Sequence, residues 1–367
     1  MPERKKDNVA LMKIDERSEE NVVYSDEKRN CPSGQFHFNI KCCLLAAERG
    51  RKMYEIGIDM GGTHTAVGLV DGLTLKDRVE FATDTEQGAE KYIEELVGKI
   101  GLLWEKNELD LTDISCIGMG VPGSFNTQTG MIEYANNLSF SDVPFRDMLE
   151  EKLSKKVLID NDANLAAWGE YLLSKSSSSS FFMVTLGTGI GCGIVLDGKL
   201  YRGVNFAEGE IGHMTIRYDG IDCNCGRKGC FEAYASASAL VRQAAEAAEA
   251  HPDSRLHALV EGDVSRMNGR LFFQAVREED ETALAVRDNY AQLLAEGLTN
   301  LINLLQPAEL VIGGGISGAA ELFLPQVQER IARMVYSRAS KVQTLLRPAK
   351  FGNDAGIVGA ARLGDMD

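Results

Sequence analysis

One imidazole and three thiols recur at short spacing within the glycine-rich stretch from Ala207 to Glu232, AEGEIGHMTIRYDGIDCNCGRKGCFE. His213, Cys223, Cys225 and Cys230 form the donor set of a closed tetrahedral zinc site, with no position left open for a substrate. Cys-x-Cys-x4-Cys beside turn-forming glycines is metal-type spacing, so the expected metal is a structural Zn2+ that fixes a loop poor in apolar residues. The plain alternative is a set of unrelated reduced cysteines beside a satisfied histidine. Glu210 and Glu232 flank these residues. A metal-held loop would aim both carboxylates at a ligand, whose identity has to come from the rest of the chain.

Phosphate chemistry is suggested at two glycine turns. The run YEIGID, MGGTHT, AVGLVD reads as strand, tight turn, strand. Gly61 and Gly62 let backbone amides approach an anion without a Cβ in the way, and Thr63 and Thr65 add hydroxyl donors. Asp59, at the end of the first strand, is tolerable beside that anion only if Mg2+ or a hydrogen-bond donor offsets its charge. An ordinary β-turn explains one such hairpin equally well. The pattern returns, however, in FFMVTL, GTGIG, CGIVLDG, where Gly187, Thr188 and Gly189 stand in the turn. A repeated hairpin predicts two related domains on either side of one nucleotide.

Further candidates follow apolar strands, where ligands gather in α/β sheets. Gly123 and Ser124 come just past the strand ISCIGMG, and Asn136 and Asn137 follow MIEYA; the amides suit hydroxyl ligands or the closing of a turn. Asn161 and Asp162 follow KVLID and open the helix LAAWGEYLL. Asp162 is read as a helix cap or as a base that accepts a proton from a substrate hydroxyl. Gly313, Gly314 and Gly315 end the strand AELVIGGG in a turn that faces an adenosine or begins the next helix.

The elements that must hold these residues alternate between strand and helix, which predicts α/β layers. Helices are expected at about 86–103, 144–153, 234–250, 268–277 and 282–305, with IVGAARL closing the chain. A net charge of −15 over 367 residues disfavours nucleic acid and anionic lipid as partners. No apolar run approaches a membrane span, and MPERKKDNV lacks the apolar core of a secretory signal, so a cytoplasmic protein without membrane partners is expected. Residues 1–52 hold 11 Lys and Arg against 9 Asp and Glu and read as an irregular N-terminal extension.

From Tyr54 onward the chain resembles the ROK sugar kinases, the repressor, open reading frame and kinase family. The resemblance rests on IGIDMGGTHTAVGLVDG, GVPGSF, IDNDANLAAWGE, LGTGIGCGIVLDGKL, EGEIGHM, CNCGRKGCFE, VIGGG and NDAGIVGAARL in that order. It implies a two-domain, actin-like (ribonuclease H-like) α/β fold with a structural zinc loop. The small domain would span 53–167, joined by a C-terminal helix at 352–367, and the large domain 168–351. The fold would close on ATP with Mg2+ and on a hexose, usually as a homodimer, with a tetramer as the alternative. Asp162 resembles the base at the sugar's 6-hydroxyl. Gly123, Asn136 or Asn137, Asn161, Glu210, His213 and Glu232 match sugar-binding positions. Asp59, Gly61, Gly62, Thr63, Thr65, Gly187, Thr188 and Gly189 match the phosphate loops, and Gly313 to Gly315 the adenosine side. His213 would serve twice, with one ring nitrogen on zinc and the other toward the sugar.

Glucose is the first substrate expectation and N-acetylmannosamine the second, with fructose, mannose and allose also compatible. The family includes repressors with a DNA-binding module ahead of this core. Residues 1–52 lack the periodic apolar residues of such a module, so no nucleic-acid partner is expected.

Overall fold

The computed structural model describes residues 52–126, 129–135 and 140–366. The expectations for residues 1–51 and for Asn136 and Asn137 lie outside the described residues.

The first half begins with β1 (Tyr54–Met60), β2 (His64–Asp71), β3 (Thr74–Ala82) and α1 (Ala89–Lys106). It continues through β4 (Ile114–Val121), β5 (Ser124–Asn126), β6 (Met131–Ala135), β7 (Phe140–Val143), α2 (Phe145–Leu153), β8 (Val157–Asn161) and α3 (Asp162–Leu173). Five strands form a sheet in the order β3-β2-β1-β4-β8, and β5, β6 and β7 make a small separate sheet. Helix α1 packs because Tyr92, Ile93, Leu96, Ile100 and Leu103 recur on one face and are buried. They join Ile56, Ile58 and Met60 of β1 in one core. Each such side chain contributes about 1.5–3 kcal/mol on leaving water.

The second half repeats the plan with β9 (Ser180–Leu186), β10 (Ile190–Leu196) and β11 (Lys199–Leu200). After a long irregular segment come α4 (Phe231–Ala235), α5 (Ala237–Ala250), α6 (Arg255–Leu259), α7 (Gly269–Arg277) and α8 (Glu281–Leu305). The chain ends with β12 (Glu309–Gly313), α9 (Leu324–Met334), β13 (Leu345–Pro348) and α10 (Asn353–Ala361). The sheet order is β11-β10-β9-β12-β13. In both sheets an antiparallel trio (β1, β2, β3; β9, β10, β11) leads on to two parallel strands (β4, β8; β12, β13). The duplication anticipated from the two hairpins is therefore a duplication of whole sheets.

Three differences from the sequence reading are local. The helix expected at 234–250 is broken at Ser236, whose extended backbone and side chain cap α5 by accepting from the Ala239 N–H. Helix α1 begins at Ala89 and runs to Lys106. Helices α6, which buries Leu256, and α9, which buries Leu324, Val327 and Ile331, are absent from the expected set.

Helix α10 seats against β1, β4 and α3 at glycines. A Cβ on Gly57 or Gly118 would run into the carbonyl oxygen of Ile357 or Ala360, and one on Gly169 or Gly359 into that of Ala355 or Leu165. Only glycine allows backbones to approach this closely. Among the described residues no helix is long and apolar enough to cross a membrane.

Candidate active site

Both hairpin turns open on one cleft of about 600 Å3. The first turn follows the register Met60 to Thr65 and closes through Gly61 N–H to the His64 carbonyl at 2.9 Å. The second follows Leu186 to Ile190 and closes through Gly187 N–H to the Gly189 carbonyl at 3.0 Å. Gly61, Gly62, Thr63, Gly187, Thr188 and Gly189 all line the cleft, together with Gly314 and three carboxylates, Asp59, Asp162 and Glu232.

Asp162 is the first residue of α3, directly beyond β8. The cap of that helix is Asn161, whose Oδ1 accepts from Ala163 N–H at 2.9 Å and Asn164 N–H at 3.2 Å. The capping role considered for Asp162 thus belongs to its neighbour, and Asp162 keeps a carboxylate on the cleft while accepting from Ala163 N–H at 2.8 Å. Burial pushes its pKa up, the Ala163 amide pulls it down, and the charge of Glu210 raises it. Asp59 faces the same space. Burial and the charge of Asp162 push its carboxyl to about 7.

Glu232 lies in the first turn of α4 and accepts from the Ile190 N–H through Oε2 at 2.9 Å. Its charge reaches Glu210, whose carboxyl is raised by burial and lowered by His213. Glu210 Oε2 is 3.8 Å from Nε2 of His213. Carboxylates accept hydrogen bonds, so a set of acids with one imidazole suits a neutral ligand rich in hydroxyl donors.

Nδ1 of His213 turns the other way, 3.7 Å from Sγ of Cys223, and Sγ of Cys225 lies 3.6 Å from Sγ of Cys230. The four ligand atoms all lie within 4.8 Å of one another. A tetrahedral site with metal–sulfur bonds of about 2.3 Å has edges of about 3.8 Å, so the donor set fits a zinc-like cation. Burial pushes the Cys230 thiol up to about 12. A cation would reverse that preference by stabilising the thiolate.

Two expected site residues turn away from the cleft. Thr65 is fully buried, and its Oγ1 is bonded to Tyr92 Oη at 2.7 Å and Thr83 Oγ1 at 2.8 Å. Thr83 in turn donates to the Gly61 carbonyl at 2.9 Å, so Thr65 supports the first turn from behind. The backbone of Gly313 is packed on Met183. Gly123, with φ of 97° just past β4, lies outside the residues lining the cleft, as do Asn161, Glu210 and His213.

A second hollow of about 860 Å3 shares Gly187 and Thr188 with the first and includes Gly315. Its walls include Ser238 and Val241 of α5, Asn268 before α7, Phe273 of α7 and Ile316. The sequence reading missed these residues. They come from helix faces far apart in the chain and carry no local motif, and the only available signal was the apolar periodicity of α5 and α7.

Paired glycine turns around a carboxylate-lined cleft, in a chain of duplicated mixed sheets, define a ligand-binding α/β protein. The ROK family model matches residues 55–366, and the chain belongs to that family. It is 34% identical over 311 residues to a glucokinase of Halalkalibacterium halodurans, an alignment covering 84% of this chain and 94% of the relative. An N-acetylmannosamine kinase of Vibrio cholerae is 32% identical over 311 residues, covering 84% and 98%. The crystal structure of a ROK family glucokinase from Streptomyces griseus in complex with glucose and AMPPNP has a TM-score of 0.75 at 32% identity, covering 84% of this chain and 98% of that one.

Proposed function

We propose that this protein is an ATP-dependent hexose kinase that transfers the γ-phosphoryl group of ATP to the 6-hydroxyl of glucose. The observation that carries the reading is the position of Asp162, a carboxylate at a helix start in the cleft onto which both glycine turns open. The names of the glucokinase relatives support the class of reaction. Phosphoryl transfer asks mainly for in-line positioning and for offset of charge on the γ-phosphoryl group, which amide-rich turns supply. Asp162 orients the attacking hydroxyl and accepts its proton late, so it needs no strongly basic character. Glu210, Glu232 and His213 accept or exchange hydrogen bonds with the remaining hydroxyls, with Gly123 and Asn161 beside them. The outer hollow, reached past Gly314 and Gly315, takes the adenosine.

Asp59, its carboxyl raised by burial and by the charge of Asp162, would hold Mg2+. When bound, Mg2+ supplies positive charge beside the phosphates. His213, Cys223, Cys225 and Cys230 would hold a structural Zn2+ that fixes the loop carrying Glu210 and Glu232. The two sheets would act as lobes, residues 53–167 with the closing helix and residues 168–351, that approach each other over the sugar and exclude water. The protein would work in the cytoplasm as a homodimer or tetramer, the latter open to sedimentation analysis.

The test is a coupled ADP-release assay with ATP and Mg2+ over a panel of hexoses and N-acetylhexosamines. Glucose-dependent release well above ATP hydrolysis without sugar is expected, and equal rates would overturn the reading. N-acetylmannosamine is the second substrate reading, favoured by the Vibrio relative at nearly the same identity. Turnover of that sugar above glucose would decide for it.

A further inference from the structure

No residue from Tyr201 to Glu210 is fully buried, although this segment leads directly into Glu210 and His213, and Val204 within it is 98% exposed. Of its large apolar side chains, Phe206 is half-buried and Tyr201 and Val204 are exposed. Polar contacts tie it to the junction of β8 and α3. Arg202 Nε meets Asp160 Oδ2 at 2.6 Å, and Asp160 is almost fully enclosed, with 2% of its side chain exposed. Asp160 lies in the last two residues of β8 and Asn164 in the first turn of α3, on either side of Asn161 and Asp162. Asn164 Nδ2 donates one hydrogen to Asp160 Oδ1 at 3.0 Å and the other to Glu208 Oε1 at 2.6 Å. The same Oδ1 also accepts the Asn161 N–H at 2.8 Å.

We propose that Asp160, Asn164, Arg202 and Glu208 form a clamp of positioning residues that sets Glu210 and His213 relative to Asp162. The proposal rests on the reading of Asp162 as the group that meets the acceptor hydroxyl. Arg202 and Glu208 pin both ends of this stretch to the two residues that bracket Asn161 and Asp162. Gly209, with φ of 75°, is pressed against the Cys192 carbonyl immediately after the pinned Glu208. Glu210 follows, and Ile211 is buried, so the direction of the Glu210 side chain is set from both sides. Glu208 Oε2 is enclosed without a hydrogen-bond partner, and Oε1 is held by Asn164. Displacement of a binding group by about 1 Å is enough to cost a large factor in turnover.

The test compares Glu208→Ala with Glu208→Gln in the full chain. The amide oxygen of glutamine can still accept from Asn164, so Glu208→Gln is expected to behave as wild type. Glu208→Ala is expected to raise the sugar KM by ~10-fold and lower kcat several-fold, with the ATP KM within about twofold. Hydrogen exchange is read on the same proteins without ligands. Amides from Val204 to His213 should exchange at least ~10-fold faster in Glu208→Ala alone, because local opening is no longer opposed. Unchanged sugar KM and exchange in Glu208→Ala would overturn the clamp, as would an equal rise in both KM values, which marks a merely structural role. If the wild type phosphorylates no hexose, the functional reading fails while exchange still decides the clamp.

Discussion

The Oε2 of Glu232 accepts the backbone N–H of Ile190 at 2.9 Å, tying the helix that follows Cys230 to the glycine turn between β9 and β10. On the proposed function, one carboxylate would serve the sugar and brace the turn that meets the phosphates. Replacement by glutamine keeps an acceptor for Ile190 and removes the charge. Glu232→Gln is expected to raise the sugar KM by ~10-fold while leaving the ATP KM within about twofold, whereas Glu232→Ala raises both. Initial rates with each substrate varied in turn decide the point, and identical behaviour of the two variants would dismiss the bracing role.

Asp162 is freed from capping by Asn161, so its replacement leaves the helix start intact. Asp162→Asn is expected to lower kcat by ~10²–10⁴ while sugar affinity, measured by direct titration, stays within about an order of magnitude. Near wild-type turnover would remove Asp162 from the reaction. The cap predicts the opposite pattern at its neighbour, where Asn161→Ala should lower stability by about 1 kcal/mol in thermal unfolding.

The sequence made both hairpins and the His213 and cysteine cluster legible because each is built from neighbours in the chain. The duplication was legible for the same reason, since Gly61 and Gly187 sit in matching strand-turn-strand runs. The inward turn of the Thr65 hydroxyl was not legible because its partners, Tyr92 and Thr83, lie on α1 and just past β3. No local pattern distinguishes that threonine from Thr63. The choice between Asn161 and Asp162 as cap depended on where the helix begins to within one residue, which propensity does not fix. The outer hollow stayed hidden because α5 and α7 meet only in the folded chain, and Asp160, Arg202 and Glu208 are common surface residue types until packing encloses them.

Asp59 gives the protein a pH dependence whose sign follows from its raised carboxyl, about 7 against the usual 3.8. Between these values Asp59 keeps in the folded chain a proton that it releases in the unfolded chain, so its own contribution to stability declines as pH rises from about 4 to 7 and levels off above. Asp59 is only half-buried, so solvent screening moderates the effect, leaving of order 2–4 kcal/mol. In ligand-free protein Asp59→Asn should raise the melting temperature at pH 8 and change it little at pH 4, and Mg2+ with nucleotide should raise that of the wild type at pH 8. The same group predicts that kcat/KM falls as pH drops below about 7. A variant that melts below wild type at pH 8 would show that Asp59 is paired in a way its surroundings do not suggest.

The thiol cluster and Glu210 are joined through His213, which turns Nδ1 toward Cys223 and Nε2 toward Glu210. Loss of a bound metal should therefore disturb Glu210 first, and the glycine turns only afterwards through Glu232. Metal analysis of the purified protein is expected to give one zinc per chain. Treatment with a chelator should raise the sugar KM by ~10-fold or more before the ATP KM moves, with recovery on adding Zn2+. Cys225→Ser, at the most exposed ligand, should reproduce the chelated behaviour at ordinary metal concentrations because it weakens the site without opening the core. Retention of full sugar affinity in metal-free protein that still unfolds cooperatively would show that the loop holds Glu210 and Glu232 by packing alone.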